Sequence, residues 1–389
     1  MKGMKLNMSN INQYLLWRGD IELDNKYVFN EIDSMILARF SYLRFDEIEM
    51  NSKENVEEVS NKMKYLDDDK FLYNGDKELI TNLGKSERFK NMLITDYVEI
   101  EDSKIEKQFG AVTIHISEEE LYISFIGTNS TINGWKEDFN MSFMSNVPCQ
   151  IAGKEYLQMI ADKYPKKKIR IGGHSKGGNV AIYSAITASK EIQKRIIKVY
   201  NYDGPGFSTE IINEYGQNKI IEKIETYLPQ DSIIGRILNH KEKTTIVLSV
   251  EKGIYQHDIY SWQVLKDDII KLEKNTQSSE DINETLKNWI NNTTEEQRKA
   301  FIDTVFELFY STEAKTFGEI GKTLSTSIPK ILKKYNMISK EEKQNITQMI
   351  KLFGKIYFSV IKERENVKFS ELKDYYIKES KKQLSKIGI

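Results

Sequence analysis

The residues with the clearest chemical meaning are Gly173-His174-Ser175-Lys176-Gly177, which fit the pattern G-x-S-x-G. A short apolar strand precedes this pattern and a small-residue helix follows it, which is typical of a serine held on a sharp turn. Glycine is favoured on both sides because larger side chains would collide there. The pattern therefore predicts Ser175 as a nucleophile, with the N–H of Lys176 at a helix N-terminus able to stabilise an oxyanion. The alternative is a glycine-rich turn without a catalytic role.

A nucleophilic serine on this kind of turn needs a histidine base that follows it in the chain. Of the four histidines, His115 precedes the serine and His174 lies within the turn. The other two are His240, in an expected turn, and His257, which follows the last expected strand. Active-site loops lie at the ends of parallel strands, so we predict His257 as the base. A surface histidine without a function is the alternative.

Two aspartates compete for the role of the acid that orients this base. Asp203 ends the strand after the serine helix, in NYDGPGF, where D-G-P-G also fits a structural turn. Asp231 follows the next expected strand, in LPQDS. We favour Asp231 and keep Asp203 as the alternative acid. Asp258 is disfavoured because it is adjacent to the base.

The elements that must position these residues alternate between strands and helices. Helical patterns cover 151–164 and 176–190, and strand patterns are AVTIHIS, LYISFIG, IRIGG, IIKVYNY, IIEKIETYL and TTIVLSV. The first two strands flank the turn EEE, which predicts a hairpin. Alternation of this kind predicts an α/β fold with a mostly parallel sheet covered by helices on both faces.

The chain divides into three expected regions. Residues 1–105 are polar and mostly helical in pattern, which predicts an N-terminal helical segment packed on the core. Residues 106–265 contain most of the glycines and prolines and form the expected α/β core. Residues 266–389 form an expected C-terminal helical region.

Two capping boxes are expected in the C-terminal region. Thr293 with Glu296 and Ser339 with Glu342 each precede an amphipathic pattern. Such apolar stripes normally mark the packing face of a helix, and we interpret both stripes in this way.

Composition restricts the partners. Lys and Arg number 57 and Asp and Glu number 58, so no electrostatic reason exists to expect nucleic acid or an anionic membrane as the main partner. The single cysteine, Cys149, can form neither an internal disulfide nor a zinc site on its own. No apolar run has the length of a signal peptide or a membrane span, which favours a cytoplasmic protein.

Two segments carry a family resemblance. LYISFIGTNSTINGWKEDFNMSF (121–143) and IGGHSKGGNVA (171–181) resemble the class 3 lipases, which are α/β-hydrolases with a Ser-Asp-His triad. The whole chain looks more closely like a bacterial family of uncharacterised lipase-like proteins. This closer likeness is carried by NINQYLLWRGD, YNYDGPGF, LPQDSIIG, YQHDIYSWQV and STEAKTFGEI.

The resemblance implies particular roles for individual residues. It implies Ser175 as the nucleophile, Asp231 as the acid and His257 as the base. It also implies that Thr128 is the second contributor to an oxyanion hole, beside Lys176. We expect no metal and no organic cofactor.

The chain differs from the class 3 lipases at one position near the oxyanion segment, and the resemblance also implies a lid region. Class 3 lipases usually have arginine where this chain has Ile126, which removes a charged contact. A lid follows the oxyanion loop in those enzymes. The apolar residues there are Ile132, Trp135, Phe139, Met141, Phe143 and Met144, which form a lid or acyl-binding wall, or else an ordinary packing face.

The sequence therefore predicts a serine hydrolase of lipase or esterase type that acts on a small acyl ester or a lipid through an acyl-enzyme. The helical tail allows transient contact with a membrane surface, and the oligomeric state is open. The alternatives are a thioesterase or another serine acyl hydrolase, and an inactive binding protein with the same fold. Hydrogen bonds from Ser175 to His257, and from His257 to an acid, would favour the enzyme, whereas a misaligned or occluded triad would favour the binding protein.

Overall fold

The computed structural model describes residues 9–51, 53–128, 131–142, 144 and 146–386. The strands are β1 (Glu54–Asn55), β2 (Leu93–Asp102), β3 (Lys107–His115), β4 (Glu120–Ile126), β5 (Lys168–His174), β6 (Ile196–Tyr202), β7 (Ile224–Pro229), β8 (Lys243–Val247), β9 (Val264–Leu265), β10 (Asp268–Ile269) and β11 (Lys271–Leu272). The helices are α1 (Ile11–Arg18), α2 (Glu31–Phe40), α3 (Val56–Met63), α4 (Asp76–Leu83), α5 (Ile132–Asn140), α6 (Pro148–Lys163), α7 (Lys176–Thr187), α8 (Lys190–Arg195), α9 (Thr209–Tyr215), α10 (Gln277–Asn291), α11 (Glu295–Tyr310), α12 (Phe317–Lys322), α13 (Leu324–Met337) and α14 (Lys340–Lys386).

Nine strands form one sheet in the order β1-β2-β3-β4-β5-β6-β7-β8-β11. The central strands β4 to β8 are parallel, and β3 and β4 form the expected antiparallel hairpin. Helices connect the parallel strands and cover both faces of the sheet, as the alternating pattern predicts. This arrangement is an α/β-hydrolase fold.

Each face of the sheet has its own apolar core. Successive strand residues point to opposite faces, so Tyr122 of β4 packs with the N-terminal helices while Ile123 packs with α6 and α7. Two ion pairs are fully buried among the N-terminal helices: Arg39 with Asp76, and Arg88 with Asp33.

The sheet extends beyond the expected core region at both ends. β2 lies within 1–105 and pairs with β3, and β11 lies within 266–389 and pairs with β8. The period-2 pattern of β2 is interrupted because its pairing shifts between Thr95 and Val98, where Asp96 adopts a positive φ of 56°. A strand is not recognised from its sequence when the alternation of residues between the two faces is interrupted.

The C-terminal region is helical after β11, and one of its expected caps is displaced by one residue. Thr294 caps α11 in a box with Gln297, whereas Thr293 donates to the Trp289 carbonyl at the end of α10. The box of Ser339 with Glu342 precedes α14 as expected. No helix in the described part of the chain combines the length and apolar character that crossing a bilayer requires.

Candidate active site

Ser175 occupies a strained turn between β5 and α7. Its backbone has φ 58° and ψ −134°, a region that residues other than glycine rarely adopt. A Cβ at Gly173 would collide with the Gly177 backbone, and a Cβ at Gly177 would collide with the Phe125 carbonyl. Both glycines of G-x-S-x-G are therefore required by close backbone approach, as the sequence predicts.

Two segments with backbone N–H groups meet beside this serine. Lys176 is the first residue of α7, so its N–H has no partner within the helix. The segment after β4 approaches the same turn, since a Cβ at Gly177 would lie 3.0 Å from the Gly127 nitrogen. The next residue, Thr128, donates its hydroxyl to the Asp138 carboxylate, which fixes this segment to α5.

The side chain of Lys176 turns into the protein and ties the serine turn to α5. Its Nζ donates to Gln108 at 2.6 Å and to Glu137 at 3.0 Å. Burial alone would lower the pKa of Lys176, but the charges of Glu137 and Asp138 outweigh burial and raise it. Glu137 also accepts the N–H of Cys149 at 2.8 Å. The lysine is therefore a charged, fully partnered structural group.

Asp138 is the most perturbed carboxyl near the serine. Burial raises its pKa to about 6, although the Lys176 charge and the Thr128 hydrogen bond lower it partly. Its Oδ1 has no hydrogen-bond partner among the described residues, and the Lys176 Nζ lies 3.8 Å from that oxygen.

His257 pairs with Asp203. His257 ends a short 3₁₀ helix, Gly253–His257, and its Nδ1 lies 2.7 Å from the Asp203 Oδ2. Asp203 directly follows β6 with φ 53° and is 1% exposed. Its other oxygen accepts the Ser232 hydroxyl at 2.5 Å and the Gly235 N–H at 3.2 Å. Hydrogen bonds to both oxygens stabilise a buried carboxylate.

The structure does not bring Asp231, the acid favoured from the sequence, to His257. The Asp231 carboxylate accepts the Gly253 N–H at 2.7 Å and the hydroxyls of Thr276 and Ser278 at 2.5 and 2.6 Å. Burial would raise the pKa of Asp231, but these hydrogen bonds lower it overall. The physical reason lies in the strand order: β6 is next to β5, whereas Asp231 follows β7, one strand further from the serine.

His174 also contacts His257, through its ring and through a hydrogen bond to the His257 backbone. The two rings have centroids 4.5 Å apart, and the His174 Nε2 donates to the His257 carbonyl at 2.7 Å. Burial lowers the pKa of His174 well below its usual value. Tyr42 donates to the His174 carbonyl at 2.9 Å. Among the hydrogen bonds of the described residues, none joins Ser175 to His257.

The remaining histidines are engaged elsewhere. His240 contacts Glu242 at 2.7 Å through Nδ1 and the Gly235 carbonyl at 2.6 Å through Nε2. His115 lies on β3, with Thr95 at 3.1 Å and Lys167 at 3.2 Å from its ring nitrogens. Burial and the Lys167 charge lower the pKa of His115 to about 4. Among the hydrogen bonds of the described residues, His257 is the one histidine whose ring pairs with an aspartate.

Ser175 borders a cavity of about 350 Å³. Its polar lining residues are Asp138, Ser142, Ser175 and Lys176. The others are apolar or aromatic: Trp135, Phe139, Pro205, Ile234, Ile237, Leu286, Trp289, Ile290, Phe301, Ile302, Met349, Ile350 and Phe353. They come largely from α5, α10, α11 and α14. The C-terminal helices therefore pack over the serine.

The residues expected as a lid or acyl wall separate into three groups. Trp135 and Phe139 of α5 line the cavity, whereas Ile132 packs against α11 in a small apolar cluster. Met141 lies in the sheet core. Phe143 is outside the described residues.

Ile126, which replaces the expected arginine, makes an apolar contact. It is buried at the end of β4 and lies opposite Gly110 of β3. A Cβ at Gly110 would lie 2.7 Å from the Ile126 Cδ1, so the isoleucine fills the space above the glycine.

Sequence reasoning missed two sets of site residues. Glu137 and Asp138 had a signal, because a lysine in the buried serine turn needs a carboxylate partner and WKEDF follows the oxyanion segment. Trp289 and Met349 had none, because apolar stripes at helical spacing fit ordinary packing equally well.

Comparison with known proteins gives a family and several structural likenesses. A family model described as Mbeg1-like matches residues 83–307, more than half of the chain. The Rhizomucor miehei lipase propeptide complex is 16% identical over 40% of this chain, with a TM-score of 0.31, and the match spans 57% of that protein. Lipase II from Rhizopus niveus is 11% identical over 67% of this chain and 88% of its own, with a TM-score of 0.37.

A third solved structure, Lip2 lipase from Yarrowia lipolytica, is 12% identical over 55% of this chain and 75% of its own, with a TM-score of 0.33. No curated protein matches the sequence. The family model alone covers enough of the sequence to assign membership, and this chain belongs to the Mbeg1-like family.

Proposed function

We propose that the protein is a serine hydrolase of lipase or esterase type, which cleaves a carboxylic ester through an acyl-enzyme on Ser175. The observation that carries the proposal is the hydrogen bond between the buried Asp203 and the partly buried His257, whose ring packs on the residue before a serine held at φ 58°. A strained serine next to a histidine–carboxylate pair is the arrangement that activates a hydroxyl for acyl transfer.

The reaction follows from the proton positions. The His257 Nδ1 donates to Asp203, which leaves the lone pair of Nε2 to accept the proton of the Ser175 hydroxyl. The serine oxygen then attacks the ester carbonyl. The N–H groups of Lys176 and Thr128 donate to the oxyanion that forms, an effect of roughly 3 kcal/mol per donor.

The second half of the reaction restores the enzyme. His257 passes its proton to the leaving alkoxide, and the alcohol departs. Water then attacks the acyl-enzyme while His257 accepts one of its protons. His257 returns that proton to the Ser175 oxygen as the bond to the acyl group breaks, which releases a carboxylic acid and restores Ser175. Asp203 remains ionised throughout and stabilises the charged imidazole.

A Ser175–His257 hydrogen bond is required during the reaction. Hydrogen bonds between catalytic groups often tighten only when substrate is bound. His257 already packs on His174, the residue adjacent to Ser175, so the two reacting side chains lie on neighbouring backbone segments.

The test is labelling with a fluorescent fluorophosphonate. We expect the wild-type protein to be labelled and Ser175→Ala and His257→Ala to lose labelling. His240→Ala is the control, because that histidine contacts Glu242 and the Gly235 carbonyl, and it should keep labelling. Folded wild-type protein that remains unlabelled with and without detergent would contradict the proposal.

A further inference from the structure

We infer that the C-terminal helices α10, α11 and α14 form a binding site for a long acyl chain. The inference rests on the proposed function for the chemistry at Ser175 and deepens it by naming the substrate class, esters of long-chain fatty acids. It assigns a role in substrate binding to the helices of the C-terminal region, 266–389.

The polar residues that line the cavity are few. They are Asp138, Ser142, Ser175 and Lys176, and the Lys176 Nζ is turned away towards Gln108 and Glu137. The walls contributed by α10, α11 and α14 carry only apolar or aromatic side chains. An alkyl chain fits such walls, because burying it gains free energy without leaving a polar group unpaired.

Polar contacts join two of the helices that line the apolar space. The Trp289 indole N–H donates to the Met349 carbonyl at 3.1 Å, which joins α10 to α14. Further along, Arg364 of α14 forms an ion pair with Asp281 of α10. These polar contacts fix the spacing of the two helices, and the cavity of about 350 Å³ is within the size range of small-molecule sites.

Three apolar residues that line the cavity are also exposed to solvent. Phe139 of α5 is 51% exposed, and Ile350 and Phe353 of α14 are 59% and 36% exposed, yet all three line the cavity. A chain of apolar carbons can therefore contact both solvent-facing and buried groups of the same cavity. This exposure distinguishes the cavity from a sealed packing defect.

Binding can be tested without catalysis. In Ser175→Ala, 9,10-dibromostearate below its critical micelle concentration should quench tryptophan fluorescence, because Trp135 and Trp289 line the cavity and bromine quenches only nearby rings. Unbrominated stearate should not quench. Trp289→Phe in the same background should remove a large part of the quenching, whereas Trp17→Phe, which replaces an exposed ring of α1, should not. Absence of quenching, or quenching insensitive to Trp289→Phe, would overturn the inference.

Chain-length selectivity gives a second test. Leu286→Trp adds bulk at the cavity wall, and Leu332→Trp makes the same change on an exposed face of α13 outside it. With p-nitrophenyl esters, Leu286→Trp should lower kcat/KM about tenfold for palmitate and less than about twofold for butyrate. Leu332→Trp should change neither value. Equal losses for both esters, or no loss for either, would contradict an acyl-chain site.

Different results would contradict the proposed hydrolase and the proposed acyl-chain site. Quenching by dibromostearate without any labelling of Ser175 would contradict the hydrolase and leave the acyl-chain site standing. Labelling of Ser175 without quenching, and with no dependence on chain length, would overturn the site and leave the hydrolase.

Discussion

Two aspartates follow neighbouring parallel strands and have different environments. Asp203 follows β6, is buried, and contacts the ring of His257. Asp231 follows β7, is only partly buried, and accepts hydrogen bonds from Gly253 and from the start of α10. One carboxylate holds the histidine ring, and the other holds the backbone segment that carries this histidine. The carboxyl end of a strand alone therefore does not determine which acid meets the base.

The turn after β6, which carries Asp203, and the turn after β7, which carries Asp231, are also linked by hydrogen bonds. Ser232, next to Asp231, donates to the Asp203 carboxylate at 2.5 Å. The Asp231 N–H donates to the Gln256 side chain at 2.8 Å, one residue before His257. The turn after β7 therefore helps to position the Asp203–His257 pair through its hydrogen bonds to Asp203 and Gln256, without contacting the imidazole.

The largest effect is expected for Asp203→Asn. The amide cannot stabilise the charged imidazole, so kcat for ester hydrolysis should fall about 10³–10⁴-fold. Because the members of a triad act as one unit, adding this change to Ser175→Ala should cause almost no further loss. Steady-state hydrolysis by the two single variants and the double variant checks both statements, and a loss of only a few-fold for Asp203→Asn would argue against the pair.

Asp231→Asn should instead lower stability. Weakening three hydrogen bonds to a partly exposed carboxylate should cost about 1–2 kcal/mol at neutral pH. Since the pKa of Asp231 is lowered in the folded protein, its ionisation stabilises above the unfolded pKa, and that contribution is lost as the pH falls through the folded pKa. Urea unfolding of wild type and variant should therefore converge in acid. Exposed Asp20→Asn is the control, and a pH-independent difference would contradict this account.

Asp138→Asn should show the opposite pH dependence. The pKa of Asp138 is raised to about 6, mainly by burial, so the folded protein binds more protons than the unfolded chain from the unfolded pKa of about 3.9 up to about 6. Wild-type stability relative to Asp138→Asn should fall as the pH rises through this window. The same urea series measures this difference in stability between wild type and Asp138→Asn. A difference that increases with pH would show that the Thr128 and Lys176 contacts outweigh burial.

The smallest effect is expected for Ser232→Ala. It removes one of two hydrogen bonds to the Asp203 Oδ1, and the Gly235 N–H remains. The loss should be about 1 kcal/mol, or roughly fivefold in kcat, with KM nearly unchanged. Stopped-flow hydrolysis at saturating ester checks the split between kcat and KM. A change in KM alone would place Ser232 in substrate binding instead.

Local patterns predict much of this fold. The strands β3 to β8 and the turn around Ser175 are expected from apolar runs and from two glycines whose absent side chains allow close backbone contact. β2 is missed because the shift between Thr95 and Val98 breaks its alternation. The acid could not be chosen from local pattern, because the distance from His257 to Asp203 depends on how β6 and the 253–257 segment pack together.

The C-terminal helices show a second limit of sequence patterns. An apolar stripe identifies the face of a helix that avoids water, but it does not tell whether the space beside it is filled. Met349 and Phe353 belong to such a stripe and line the cavity beside Ser175. The cavity of about 350 Å³ is visible only in the tertiary structure, where α10, α11 and α14 meet beside Ser175.

The most direct test of the central claim is the rate of fluorophosphonate labelling of Ser175 in the matched pair Asp203→Asn and Asp231→Asn. Both variants replace a hydrogen-bonded carboxylate at the end of a parallel strand by an amide of the same size. If Asp203 activates the serine through His257, labelling should be slowed by orders of magnitude in Asp203→Asn and remain within a few-fold of wild type in Asp231→Asn. Fast labelling of Asp203→Asn together with slow labelling of folded Asp231→Asn would contradict the account.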